Sequence, residues 1–334
     1  MSFRAVTAEV NDRNVGGGTE VTPSATATGG EGRSRYGIGY GLAAYSLWGL
    51  VPLFWPLVNR SGAVELLAHR VLWSLVLAVV LLIITVPKGW WSRLRTRRSL
   101  TLLTVAAATV SVNWGVYIWS VNSGHVLETA LGYYINPIFS ILVGVLLLRE
   151  RLAAVQWVSV GLAAAAVVVL TIDYGQLPWI ALVLAASFAT YGVMKKQLNA
   201  GAVETLTVES AILTPPALAY LGYLQFTGAL TFGHLGWGYS LLLTTTGVVT
   251  IVPLLFFAAS ATRLPLSTLG LLQYLAPTFQ FLLGVLYFHE SMSVGRWVGF
   301  SLVWLALMIL TGYGLVRAKA ARRPKPQPAA PEPI

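Results

Sequence analysis

The stretch "TALGYYINPIFSILVGVLLLRERLAAVQWVSVGLAAAAVVVL", residues 129–170, lies without a gap on "LGLLQYLAPTFQFLLGVLYFHESMSVGRWVGFSLVWLALMIL", residues 269–310. The two share 14 identities, among them Tyr134 with Tyr274, Pro137 with Pro277, Gly144 with Gly284, Glu150 with Glu290 and Trp157 with Trp297. Chance would supply roughly 4 or 5 in so apolar a composition. The chain therefore repeats itself. The repeat extends backwards, since "LAAYSLWG" at 42–49 echoes "LAASFATYG" at 184–192 with one inserted residue.

What is repeated is membrane-crossing helix. A helix needs about 20 residues to cross about 30 Å of hydrocarbon. Runs of that kind lie near 36–58, 64–86, 101–121, 126–148, 153–172, 177–197, 204–225, 236–259, 266–288 and 294–316. Five spans in each half is an odd number, so the second half enters the bilayer from the opposite side. The expected fold is an all-α integral membrane protein with ten transmembrane helices, arranged as two inverted five-helix repeats over residues 36–175 and 176–316. Repeats of this kind build a solute site near the midplane between halves that rock against each other.

Composition agrees. Of 334 residues only 10% are charged and 56% are hydrophobic, with mean hydropathy +0.71; a water-exposed globular surface is about a quarter charged. The chain has no cysteine and four scattered histidines, so thiolate chemistry is excluded and neither a metal centre nor a cofactor is expected. Residues 1–35, rich in Gly, Thr, Ala and Ser, have no apolar run that could serve as a cleaved leader, and they read as a disordered cytoplasmic arm. Residues 317–334 are basic and then Pro-rich, a second disordered cytoplasmic tail.

With the N-terminus inside, every Lys and Arg except Arg60, Arg70 and Arg296 falls on one side. Positive charge accumulates on cytoplasmic loops, so both termini are expected in the cytoplasm of a multi-pass protein of the cell membrane. The formal charge of +10 then records topology and gives no reason to expect a nucleic-acid partner. The expected partners are the lipid bilayer and a small solute, with protons as a candidate coupling ion. Monomer and homodimer both remain open.

The order "AAYSLWGLVPLFW", "ELLAHRVLWS", "NWGVYIWSVN", "LETALGYYINPIFSILVGVLLLRERL" and "TTTGVVTIVPLLFFAASATRLPLSTLGLLQYLAPTFQFLLGVLYFHE" closely resembles the RarD-type permeases, an EamA-like branch of the drug/metabolite transporter superfamily. The resemblance covers about residues 36–316. It implies a ten-helix inner-membrane permease of inverted repeats whose substrate is poorly defined; some members are labelled chloramphenicol-sensitive.

Candidate solute-handling residues are the polar ones inside spans. In "VELLAHRVLW", residues 64–73, the charge-free run that follows is Val71 to Val86. At about 24 Å it is too short for the hydrocarbon, which places Leu67 to Arg70 at or inside its outer boundary. Glu65 and His69 share a helix face and Arg70 points about 100° away. These groups either snorkel to the headgroups or line a polar cavity. The repeat takes His69 to Glu209, where the run is short again and is expected to break at Pro215 and Pro216. His69 and Glu209 thus mark the outer and inner sides of a permeation path, one of them titrating.

Asn113, Trp114 and Tyr117, the set Tyr133, Tyr134 and Asn136, and their counterparts Gln273 and Tyr274 complete the candidates. Aromatic faces with amides suit an amphipathic organic solute. Against that stand interfacial aromatic belts and amide bonds between helices, the reading preferred for Trp90, Trp91, Trp157 and Trp297. Pro137 and Pro277 should kink their spans in the middle. Gly37 and Gly41, four apart, are a weak signal of close helix contact. Glu150 and Glu290, closing their spans, read as structural.

The expected function is secondary active transport of a small organic metabolite or drug by alternating access. No GxxxxGK[ST] loop supports ATP hydrolysis by this chain. The alternative is an intramembrane enzyme acting on a lipid-soluble substrate, but HExxH, GxSxG and Asp-rich metal motifs are absent.

Overall fold

A computed structural model of the chain describes residues 27–148, 152–198 and 200–321. Glu150, with its neighbours Arg149 and Arg151, lies outside the described residues, as do 1–26 and 322–334. Among the described residues every regular element is helical: α1 (Ala27–Leu50), α2 (Ala63–Thr85), α3 (Trp91–Leu94), α4 (Arg97–Asn122), α5 (Val126–Leu148), α6 (Ala154–Tyr174), α7 (Trp179–Leu198), α8 (Ala202–Thr227), α9 (Trp237–Ala261), α10 (Leu266–Leu272), α11 (Leu275–Leu286) and α12 (Val294–Ala321). Among the described residues seven segments are long and apolar enough to cross a membrane: α2, α4, the first part of α5, α6, α9, residues 268–286 and most of α12. Their outer faces carry large apolar side chains in the open, such as Ile83 and Ile172 (76% and 77% exposed), which a bilayer would cover.

Several local details depart from the sequence reading. Helix α1 begins at Ala27, so residues 27–35, assigned by composition to the arm, are helical, and α12 likewise runs past 317 to Ala321. Residues 51–58 do not continue α1; they form two 3-10 turns, Val51–Leu53 and Trp55–Val58, because Pro52 and Pro56 withhold the N–H groups an α-helix would need. The expected break at Pro215 and Pro216 does not occur. Helix α8 runs through both, and Thr214 Oγ1 donates to the Ser210 carbonyl at 2.8 Å just before them.

Pro137 sits inside a continuous α5, whereas Pro277 is not in the middle of a helix. The ninth span is interrupted at Gln273 and Tyr274, and Pro277 lies in the first turn of α11. Proline at 277 cannot donate to the carbonyl four residues back, at Gln273, and its ring crowds that carbonyl, so α10 ends where it does.

The packing of the two halves follows an exchange rule. Matching α1 with α7, α2 with α8, α4 with α9, α5 with α10 and α11, and α6 with α12 turns the pair α1–α9 into α7–α4, α1–α11 into α7–α5 and α2–α9 into α8–α4. The pairs α2–α8, α5–α11 and α6–α12 map onto themselves. All nine pairs are packed against each other. Contacts of α2 with α4 and of α5 with α12 have no counterpart of similar extent.

Glycines permit the closest approaches. A Cβ on Gly247 of α9 would lie 2.6 Å from the Trp73 carbonyl carbon of α2, and one on Gly132 of α5 would lie 2.9 Å from the Ala181 carbonyl oxygen of α7. Gly37 and Gly41 do mark a close contact: Ser260 of α9 donates to the Gly37 carbonyl at 2.9 Å, and a Cβ on Gly41 would meet Ser260 Oγ at 2.8 Å.

Candidate functional site

Polar groups are buried at both ends of the α2–α8 pair. At one end, Tyr191 and Lys195, one turn apart on α7, face Thr205 and Glu209, one turn apart on α8. The Lys195 ammonium donates to Glu209 Oε1 at 2.9 Å and also reaches the Thr205 hydroxyl, while Tyr191 OH donates to Glu209 Oε2 at 3.2 Å. Glu209 is 1% exposed. A carboxylate so enclosed is tolerable because one cation and one hydroxyl satisfy its two oxygens.

At the other end, Glu65 in the first turn of α2 is 2% exposed. Its Oε1 accepts from the backbone N–H of Thr231 at 2.9 Å and from the Thr231 hydroxyl at 2.7 Å. Ser61 joins the same cluster, with its N–H donating to Tyr239 OH, which in turn donates to the Val58 carbonyl. The start of α2 is thus tied to the α8–α9 connection. His69 lies 3.9 Å from Glu65, too far for a good hydrogen bond, and its ring rests 5.0 Å from that of Phe232. Neither ring nitrogen has a partner among the described residues.

Arg70 turns away from this cluster, as the helical angle requires. Its guanidinium carbon stands 4.1 Å above the Trp114 ring and 5.7 Å from that of Trp55. Tyr117 of α4 and Tyr133 of α5 lie in the same region of the fold. Those two rings meet edge to face at 5.8 Å, and Gln280 of α11 donates to Tyr117 OH at 3.4 Å while its own Oε1 has no partner among the described residues. Residues from α2, α4, α5 and α11 therefore meet in one buried polar and aromatic cluster.

The other candidates disperse. Asn113 is a helix tie: its Nδ2 donates to the Leu184 carbonyl and to Ser187 Oγ, both at 3.0 Å, and its Oδ1 accepts from Tyr133 OH at 3.2 Å. Tyr134 is packed in the core against Phe300 and Trp304 and shares a hydrogen bond with Thr278 at 2.9 Å. Tyr274 pairs with Thr311 at 3.3 Å, Gln273 caps α10, and the Oδ1 of half-buried Asn136 has no partner among the described residues. Exposed Trp91, Trp157 and Trp297 fit the interfacial reading.

Sequence reasoning passed over Lys195, Tyr191, Thr231, Trp55 and Gln280. Lys195 and Tyr191 could have been found from their spacing of four, matched by Thr205 and Glu209 across a short connection. Nothing local marks Gln280 or Thr231.

A separate cavity of about 360 Å³ opens beside Gly124, His125, Glu128, Tyr174, Glu290 and Arg296. Glu290 is indeed structural here: its two oxygens accept from the N–H groups of Val126 and Leu127 at the start of α5. Burial pushes its carboxyl above the ordinary 4.5, against the pull of those two donors and of Arg296. Arg296 pairs with Asp173 at 3.4 Å and lies over the Tyr174 ring at 4.5 Å. Among the described residues no three His, Cys, Asp or Glu side chains gather as a metal site would need.

Comparison with known proteins places this architecture. The profile of the EamA-like transporter family matches twice, over residues 35–172 and 177–312. The chain is 58% identical over 295 residues to Protein RarD of Streptomyces exfoliatus, covering 87% of this chain and 93% of that one. It is 41% identical over 297 residues to the uncharacterized transporter YojE of Bacillus subtilis, covering 87% and 98%. A solved crystal structure shares the fold with a TM-score of 0.54 at 18% identity, covering 84% of this chain and 98% of its own. Two family domains in tandem on an all-helical membrane architecture identify the chain as a RarD-type member of the EamA-like transporter family.

Proposed function

We propose that the protein is a secondary active transporter that moves a small organic solute across the cell membrane by alternating access. In this reading ten membrane helices form two inverted five-helix repeats, 36–175 and 176–316, with both termini in the cytoplasm. The segments outside them, 1–35 and 317–334, flank the transport unit apart from the helical extensions of α1 and α12. The observation that carries the proposal is the exchange rule of the helix pairs, in which the main contacts of one half recur in the other. Two halves related in this way can rock about the self-paired helices and present one central site to either side in turn.

The buried groups support a transport path. Glu65 and His69 lie at one end of the α2–α8 pair and Glu209 at the other, with Arg70, Trp114, Tyr117 and Tyr133 between helices. Glu65, His69 and Glu209 are the groups through which protons would couple to solute movement. Of the wider candidate set, Asn113, Tyr134 and Tyr274 support the wall rather than contact solute.

The test is flux. Purified protein in proteoliposomes, supplied with a metabolite extract and followed by mass spectrometry, should accumulate discrete solutes that protein-free vesicles exclude, and collapse of the ion gradients should abolish this. Folded protein that moves nothing would overturn the proposal, and chemical conversion without transfer would favour an enzyme. Unchanged pH dependence in both Glu209→Gln and His69→Ala would remove the proton component alone.

A further inference from the structure

We infer that Arg70 anchors an organic carboxylate carried on a flat, aromatic frame, an assignment of substrate class that rests on the transporter reading. The side chain is 8% exposed and sits about 10 Å along α2 from its start, at 1.5 Å per residue, so it is enclosed by protein within the membrane. It carries five N–H donors. Among the described residues no carboxylate comes within 4.0 Å of it, and its Nε is buried without a partner.

The contrast within the molecule is specific. Lys195 is neutralised by Glu209, Arg296 by Asp173 and Arg93 by Glu204. Glu65, the acid nearest Arg70 in sequence, is committed to Thr231 and approaches His69, and it does not turn toward the guanidinium. A buried cation left without an anion is heavily penalised, and the indole of Trp114 offsets only part of that. An incoming anion would supply the rest.

The surroundings specify what carries the charge. The guanidinium lies over the Trp114 ring and beside the fully buried Trp55. Tyr117 and Tyr133 meet edge to face in the same cluster, and among the described residues the Oε1 of Gln280 is left without a donor, so the groups around the cation are predominantly aromatic. A planar fork of donors matches a carboxylate with two parallel hydrogen bonds, and ring faces match an aromatic or otherwise flat body. One fixed cation balances one carboxylate, whereas a phosphate dianion would leave charge uncompensated.

The experiment uses the full chain in nanodiscs of neutral phosphatidylcholine. Its thermal midpoint and tryptophan emission are measured with benzoate, indole-3-acetate, benzylammonium, tryptamine and inorganic phosphate at equal ionic strength. Titration to about 50 mM saturates a site even of millimolar affinity. The two carboxylates should raise the midpoint by about 2 °C or more and change the emission, with the cations and phosphate doing neither. Arg70→Gln should abolish both effects. If that variant does not fold, Arg70→Lys takes its place and should weaken carboxylate binding by about tenfold, since the fork is lost.

Absence of a carboxylate effect, an equal effect of the cations, or carboxylate affinity unchanged in the Arg70 variant overturns the assignment. An equal effect of phosphate means that a bare oxyanion or a lipid phosphate is bound and the ring is not read, which overturns it too. Because this is equilibrium binding, the outcome separates from flux. Carboxylate binding without transport leaves the anion site standing, and transport confined to cationic solutes removes the anion site while leaving transport.

Discussion

Lys195 closes on Glu209 at 2.9 Å across the α7–α8 junction, and the two are not equally buried: the lysine side chain is 23% exposed and the glutamate 1%. Removing the lysine strands a carboxylate that only Tyr191 would still contact, whereas removing the glutamate leaves an ammonium that can reach water. Lys195→Met should therefore destabilise by about 3 kcal/mol, more than Glu209→Gln, and the double variant should recover part of the loss. Thermal midpoints of the three purified variants check this; equal losses from the two single changes would contradict it.

The helix contact at Gly247 makes a steric prediction. A methyl there must displace the Trp73 backbone of α2, so Gly247→Ala should cost about 2 kcal/mol through overpacking. Gly222→Ala on α8, where a Cβ meets nothing within 4 Å, is the matched control and should be neutral or slightly stabilising. Denaturation of both variants in detergent separates the two.

Orientation can be read with single cysteines, because the native chain has none. Arg60 and Lys88 flank α2 and are both exposed. With both termini cytoplasmic, Arg60→Cys should react with an impermeant maleimide on intact cells and Lys88→Cys only after lysis. The reverse pattern would invert the topology.

Glu290 predicts a pH dependence. Its carboxyl is raised above 4.5 in the folded chain, so between the unfolded and folded values the folded state holds more protons than the unfolded one. Stability from this group is therefore present below the ordinary carboxylate range and lost as pH rises through the raised value. In Glu290→Gln the fall in midpoint over that window should be shallower. At low pH, where the carboxyl is itself uncharged, the change should cost less than about 1 kcal/mol.

How much of this was legible follows the physics of each signal. The length of the charge-free run after Arg70 put Leu67 to Arg70 at or inside the hydrocarbon boundary, because hydrocarbon thickness is a fixed ruler. It left open whether Glu65, His69 and Arg70 snorkel to headgroups or line a cavity; in the fold all three are buried. Proline was read less well. Pro215 and Pro216 did not end α8 and Pro277 did begin α11, since the outcome depends on which neighbours satisfy the freed carbonyls. Tyr134 and Asn113 looked like a lining from their depth alone, but depth does not say which way a side chain faces, and both hold helices together. Lys195 was counted as a loop charge because sorting basic residues by side erases their individual partners. Gln280 and Thr231 act through contacts distant in sequence, which no local pattern encodes.

The interruption of the ninth span at Gln273 and Tyr274 has an environmental consequence. The Gln273 carbonyl faces a proline at the position that would otherwise donate to it, so a peptide group is left wanting a donor partway through an apolar segment. Acyl chains offer no donors. Such a joint is compatible with a bilayer only where protein side chains or water, rather than acyl chains, stand against it, so lipid should be excluded from the α10–α11 junction.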